Sequence, residues 1–245
     1  MANVLKCAIN TICRIIVKAG EDCISSDDFI DYLKAKGVNI GHKTKFFDPK
    51  SNVVDVTKPW MLKIGSYCKI TSGVVILAHD YSRSVLRRSH NAILAYGKDT
   101  VIGDNVFIGM NAIILCGCHI GNNVIIGAGS VVSGNIPDNV VITGNPAKII
   151  RTMDEHFEIR KRKNIEEAKN NFRRFKETYG RNPTIKEMGH FFPLYCHAEQ
   201  ELIEAGIDLN WSGDEKTEIL QSFLNTEHLY ESYEEFCKDV ENCNR

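Results

Sequence analysis

A β-branched residue recurs at every sixth position of this chain: Ile64, Ile70 and Ile76, then Ile102, Ile108, Ile114, Ile120, Ile126 and Val132. A period of six matches neither the helical turn nor the two-residue alternation of a hairpin strand. It fits a solenoid in which each hexad is a short strand and a corner, and three hexads close a triangular coil. Stacking the coils then buries a column of Ile and Val. The residue after the branched one is usually glycine (Gly65, Gly103, Gly109, Gly121, Gly127), read as the place where a missing Cβ permits the corner conformation. The fourth residue after it is small or apolar (Cys68, Val74, Val106, Ala112, Cys118).

From Ile76 to Ile102 the spacing is not a multiple of six, so the register breaks and residues 82–100 are expected to form a long loop leaving the solenoid. It carries Arg83, Arg87, Arg88, His90 and Lys98 and starts directly after His79, and long excursions from a rigid scaffold are usually functional or disordered. The phase of Ile40 and Phe46 places the start of the solenoid near residue 38. At the other end Ile136-Pro137 closes the repeat, and Val140-Val141-Ile142 leads into Gly144-Asn145-Pro146, where a cap is needed.

Residues 1–37 read as an N-terminal helical segment. Leu5, Ile9, Ile12, Ile15 and Ile16 fall at helical spacing among Lys6, Arg14 and Lys18, which suits a packed amphipathic helix rather than a signal peptide or membrane span. Residues 152–245 read as a helical domain, with Ile165, Ala168, Phe172 and Phe175 on one face and Thr184 with Glu187 as a capping box. Its charge is lopsided: basic over 148–176, acidic over 199–245. That pattern means mutual attraction, two solvated faces, or a docking site for another enzyme. The expected class is therefore mainly β: a parallel β-helix over 38–151 between helical flanks.

A formal charge of −1 gives no global attraction to nucleic acid or membrane. The nine cysteines are scattered and include no Cys-x-x-Cys pair, so reduced thiols in a cytoplasmic protein are expected, and no zinc site.

The run Ile102-Gly103-Asp104-Asn105-Val106-Phe107-Ile108-Gly109, followed by Ile126-Gly127-Ala128-Gly129-Ser130-Val131-Val132 and Gly144-Asn145-Pro146-Ala147-Lys148, resembles the hexapeptide-repeat acyltransferases. Within them, Ile76-Leu77-Ala78-His79-Asp80-Tyr81-Ser82 looks like the catalytic-histidine segment of sugar O-acetyltransferases. The resemblance implies a left-handed β-helix, a homotrimer with acetyl-CoA lying between neighbouring subunits, and His79 as general base. It also implies that Gly109, Ala128 and Ser133 line the pantetheine arm and that Lys148 and Arg151 meet the nucleotide phosphates. Relatives often carry a Thr-Lys pair where this chain has Ser133-Gly134, so Arg87, Arg88 or Lys161 are candidates to replace one phosphate contact.

An acetyl thioester is already activated, so the enzyme must chiefly deprotonate a weakly acidic hydroxyl, and imidazole is matched to that near neutral pH. Asp80 and Asp55 are the carboxylates considered for holding the imidazole, although neighbouring residues on a strand face opposite ways, which makes Asp80 awkward and suits it to pinning the corner. Trp60 is a candidate wall for a sugar face, and Arg87 a candidate acceptor contact. His90 and His119 rank below His79. Some hexapeptide-repeat proteins are metal-dependent, but the closely spaced His pair of such sites is absent. The expected activity is acetyl transfer from acetyl-CoA to a saccharide hydroxyl in surface polysaccharide assembly. The alternatives are N-acetylation of an amino-sugar nucleotide and a non-catalytic scaffold.

Overall fold

The structure, a computed structural model, describes residues 16–17, 25–209 and 213–242. The chain forms two compact units, residues 1–156 and 157–245.

The first unit is a left-handed parallel β-helix with three sheets. In one sheet, strands Val53–Asp55, Val75–Ile76, Ile113–Ile114 and Val131–Val132 pair in parallel, so Val54, Ile76, Ile114 and Val132 form a buried column. Two further columns, Ile40-Ile64-Ile102-Ile120 and Phe46-Ile70-Ile108-Ile126-Ile142, line the other sheets. The corner residues Cys68, Val74, Val106, Ala112 and Cys118 complete the interior. Each fully buried Ile or Val contributes about 1.5–3 kcal/mol of transfer free energy, which no single coil could collect without neighbours above and below.

The glycines do something different from what their place in the hexad suggests. Gly65, Gly103 and Gly121 do not take the left-handed conformation; a Cβ on Gly103 would lie 2.6 Å from the Gly121 carbonyl oxygen, so these glycines let successive coils stack. The left-handed residues of these corners sit two positions later, at Tyr67, Asn105 and Asn123, and Lys43, Asn111 and Asn139 take the same conformation at the equivalent place in other hexads. Asn tolerates that conformation well, and here its amides also form a ladder, Asn105 donating to Asn123 and Asn123 to Asn139 at 2.9 Å each.

Both ends of the stack are covered. Helix Ser26–Lys36 starts at a reciprocal Ser25–Asp28 cap, ends at left-handed Gly37, and buries Phe29, Ile30 and Leu33, with Phe29 edge-on to Phe46 at 4.9 Å. At the far end, strand Lys148–Thr152 folds back antiparallel onto Val140–Thr143 and pairs the last parallel strand. Ile16–Val17 pair antiparallel with Val54–Asp55, so those two residues are strand where a helix was expected. The rest of the helical expectation for residues 1–24 lies outside the described residues.

The excursion is also not a plain loop. It opens with helix Arg83–His90, none of whose residues is buried, and Thr100 already belongs to strand Thr100–Ile102, which resumes the ladder against Leu62–Ile64.

The second unit contains most of the long helix Met153–Tyr179, which buries Ala168 and Phe172 among Phe192, Tyr195, Phe223 and Phe236. Ile165 packs against that cluster, while Phe175 lies instead against Tyr179 and under Arg181. Thr184 and Glu187 cap one another reciprocally. Lys161–Glu227, Lys169–Asp239 and Lys176–Glu241 ion pairs at 2.6–3.0 Å join its basic helix to the acidic C-terminal stretch. The lopsided charge is thus at least partly mutual attraction within the unit.

Candidate active site

Strand pairing brings two distant residues together. Val53 and Val54 lie beside Val75 and Ile76, so the chain leaving Asp55 runs next to the chain leaving Ile76 towards Ala78 and His79. Asp55 is fully buried, and each of its oxygens receives two hydrogen bonds. Oδ1 accepts from the Thr57 backbone N–H at 2.9 Å and from the Thr57 hydroxyl; Oδ2 accepts from the Ala78 N–H at 2.8 Å and from His79 Nδ1. Every acceptor position of this buried carboxylate is thus matched by a donor from the chain.

His79 has a side chain only 9% exposed, and the Tyr81 ring packs edge-on against it at 4.2 Å. With Nδ1 on a carboxylate, the neutral form of the ring places its one proton on that nitrogen and leaves Nε2 as the acceptor. These contacts hold the imidazole in one orientation.

Asp80 is not the imidazole's partner. Its carboxylate accepts from the Ser82 N–H and hydroxyl, both at 2.7 Å, and these bonds hold it below the usual carboxylate range. It pins the start of the excursion. At the other end of the excursion, the Tyr96 carbonyl accepts from Lys58 Nζ at 2.8 Å, and the Tyr96 hydroxyl lies against the coil corner at Gly117 that holds the Cys116 thiol. Burial pushes that thiol up, and the Asp80 and Asp55 charges push it further. Thr57, Tyr96 and Cys116 therefore join His79 and Asp55 in this neighbourhood, and hexad spacing alone singles out none of them. The Asp-x-Thr spacing at 55–57 is the one usable signal, since Asp readily bonds the backbone two residues on.

Trp60 lies on the surface, 74% exposed, in the turn Pro59–Met61. Arg87 is exposed on helix Arg83–His90. His90 bonds Ser89 on that helix, and His119 points outward from strand His119–Ile120, so neither shares the Asp55 site. Gly109 is buried against the next coil, where a Cβ would meet the Ala128 nitrogen at 2.5 Å. Ala128 and Ser133 are exposed beside Gly129 and Gly134, in front of which there is open space. Lys148 is exposed and Arg151 half-buried on the closing strand. Among the described residues, no group of three or more His, Cys, Asp or Glu is placed to hold a metal ion.

A family model, bacterial transferase hexapeptide (six repeats), matches residues 99–134. Protein CapG of Staphylococcus aureus is 38% identical over 126 residues, which cover 51% of this chain and 72% of CapG. The chain belongs to the hexapeptide-repeat acetyltransferases. The galactoside O-acetyltransferase of Lactococcus lactis subsp. lactis is 30% identical over 144 residues, 58% of this chain and 66% of that protein. A putative lipopolysaccharide biosynthesis O-acetyl transferase, WbbJ of Escherichia coli, is 57% identical over 51 residues, 21% of this chain and 26% of that protein. As a hexapeptide-repeat acyltransferase the chain is an enzyme, which sets aside the scaffold reading. The Asp55–His79 pair lies in the β-helix on which that family is built.

Proposed function

We propose that this acetyltransferase moves the acetyl group of acetyl-CoA onto a saccharide hydroxyl, with His79 as general base. The observation that carries the reading is the buried Asp55 carboxylate on the Nδ1 side of His79, which leaves Nε2 as the proton acceptor. Nε2 takes the hydroxyl proton as the oxygen attacks the thioester carbonyl. Collapse of the tetrahedral intermediate breaks the C–S bond, and the imidazolium returns its proton to the departing CoA thiolate. Such a base contributes typically about 10²–10⁴-fold to the rate.

For the donor, Ala128 and Ser133 offer small side chains along an open surface, with Gly109 packed behind Ala128, and Lys148 and Arg151 supply cations for phosphate. A homotrimer is part of the proposal. Leu94 and Ile93 on the excursion and Phe107 and Met110 on the coils are 41–89% exposed, apolar surface that assembly would cover. A cytoplasmic setting is part of the proposal; the acetyl-CoA donor and the free thiols of Cys68, Cys116, Cys118, Cys196 and Cys237 support it. No helix among the described residues is long and apolar enough to cross a membrane. The named activities of the Lactococcus and Escherichia relatives support a saccharide acceptor and a place in surface polysaccharide assembly. Trp60 and Arg87 remain the proposed acceptor contacts.

The test is thiol release from acetyl-CoA with a panel of sugars, oligosaccharides and amino sugars, wild type against His79→Ala. Release that depends on a hydroxyl acceptor and falls about a hundredfold or more in the variant supports the reading. Release with amino sugars alone would replace it with N-acetylation.

A further inference from the structure

The proton inventory around Asp55 assigns a task to a residue that exchanges no proton with the substrates in the proposed reaction. Thr57 Oγ1 has one proton, and it goes to Asp55 Oδ1, the same oxygen that accepts the Thr57 backbone N–H. The same Oγ1 lies 3.1 Å from His79 Nδ1. Having given its proton away, it meets Nδ1 as an acceptor.

We infer that Thr57 is a positioning residue for the base: it anchors one oxygen of Asp55 and presents a second acceptor to the Nδ1 proton of His79. The inference rests on His79 being the base. The Nδ1–H is shared between Asp55 Oδ2 and Thr57 Oγ1, both on the same short stretch of chain. With either acceptor alone the ring could swing about the remaining bond; with both, its plane and its tautomer are fixed together. Thr57 also keeps Asp55 from rotating, because two of the four bonds on that carboxylate are its own. Removing its hydroxyl takes one donor from a fully buried carboxylate and one acceptor from the imidazole proton. No other hydroxyl bonds either group among the described contacts.

Three variants in the full chain separate this role from a merely structural one. Thr57→Val keeps the branched shape and loses the hydroxyl, Thr57→Ser keeps the hydroxyl and loses the methyl, and His79→Ala reports on the underlying reading. The expected result is a kcat about 10–100-fold lower in Thr57→Val with the acetyl-CoA KM within about twofold, and rescue to within about threefold by Thr57→Ser. Proton NMR gives an independent readout: the downfield His79 Nδ1–H signal is retained in Thr57→Ser and broadened or lost in Thr57→Val. If Thr57→Val does not fold, Thr57→Ala takes its place with the same expected losses. A wild-type kcat in the hydroxyl-free variant, beside a His79→Ala that is inactive, overturns the inference and leaves the base intact. A fully active His79→Ala overturns the reading on which it rests.

Discussion

Asp55 and His79 are 24 positions apart in the chain, yet the Asp55 carboxylate caps the imidazole of His79 because two successive coils of the β-helix place them side by side. The relationship is asymmetric. Asp55 is fully buried and saturated with donors, while His79 keeps one edge towards the surface. A carboxamide cannot reproduce it. In Asp55→Asn the side chain offers one oxygen and an NH2 group to four donors, so at least one donor is left facing another. The expected outcome is a loss of about 1–3 kcal/mol in unfolding free energy and a kcat lowered by about 10²-fold or more. Denaturant titration and steady-state kinetics on the same preparation check both. Wild-type kinetics in this variant would remove Asp55 from the mechanism.

The two kinds of glycine in the coils predict two kinds of damage. An alanine at Gly103 pushes its Cβ against the Gly121 carbonyl oxygen at 2.6 Å and against Asn122 Oδ1 at 2.7 Å, so backbone must move. An alanine at Gly129 meets nothing within 4 Å and is penalised only by its left-handed φ of +68°. Gly103→Ala is expected to cost about 3 kcal/mol as an overpacking change, and Gly129→Ala about 1 kcal/mol as a conformational one. Thermal melts of the two variants should differ visibly, and equal melting temperatures would contradict the stacking role.

Those glycines also mark where the sequence is legible and where it is not. A period of six dictates strand spacing, the three inward columns and the break at the excursion, because burial of β-branched residues leaves a direct trace in the pattern. It does not reveal which corner residue turns left-handed, since Lys43, Tyr67 and the four asparagines Asn105, Asn111, Asn123 and Asn139 share that conformation without sharing chemistry. The proposed base is legible from the resemblance of the His79 segment and from its place before the excursion. Its carboxylate was only one of two candidates, because choosing between Asp55 and Asp80 requires knowing which strand is the neighbour. Asp80 is adjacent in sequence and Asp55 is adjacent in space. Thr57 leaves only the Asp-x-Thr spacing as a trace, and Cys116 leaves none, because the contacts of Thr57 with His79 and of Cys116 with the excursion come from other parts of the chain.

Thiol chemistry probes those corners. Burial pushes the thiols of Cys118 up to about 11 and Cys196 up to about 12, and raises that of half-buried Cys116. Only the thiolate reacts, so all three should alkylate far more slowly with iodoacetamide near neutral pH than an unhindered cysteine. Cys116 should speed up about tenfold per pH unit as long as the pH stays below its raised value. Cys118 and Cys196 should instead wait for unfolding. Site-resolved mass spectrometry distinguishes the two behaviours, and fast labelling of Cys118 in the native protein would show that the coil interior opens.

In the helical unit the sign of a pH effect follows from one carboxylate. Arg181 bonds Glu187 through both terminal nitrogens, at 2.6 and 2.9 Å, and the Thr184 N–H adds a third bond at 2.8 Å. The guanidinium first, and the N–H after it, hold Glu187 down to about 2. An unfolded Glu titrates near 4.3, so folding favours the ionised form. The contribution is fully present above that value and is lost as the pH falls through it towards about 2. Arg181→Ala should therefore raise the Glu187 midpoint towards the unfolded value and flatten the acid dependence of this unit's stability between those limits. The midpoint is read from the Glu187 carboxyl carbon in an NMR titration. A midpoint that stays near its wild-type value in Arg181→Ala would transfer the effect from the guanidinium to the Thr184 cap.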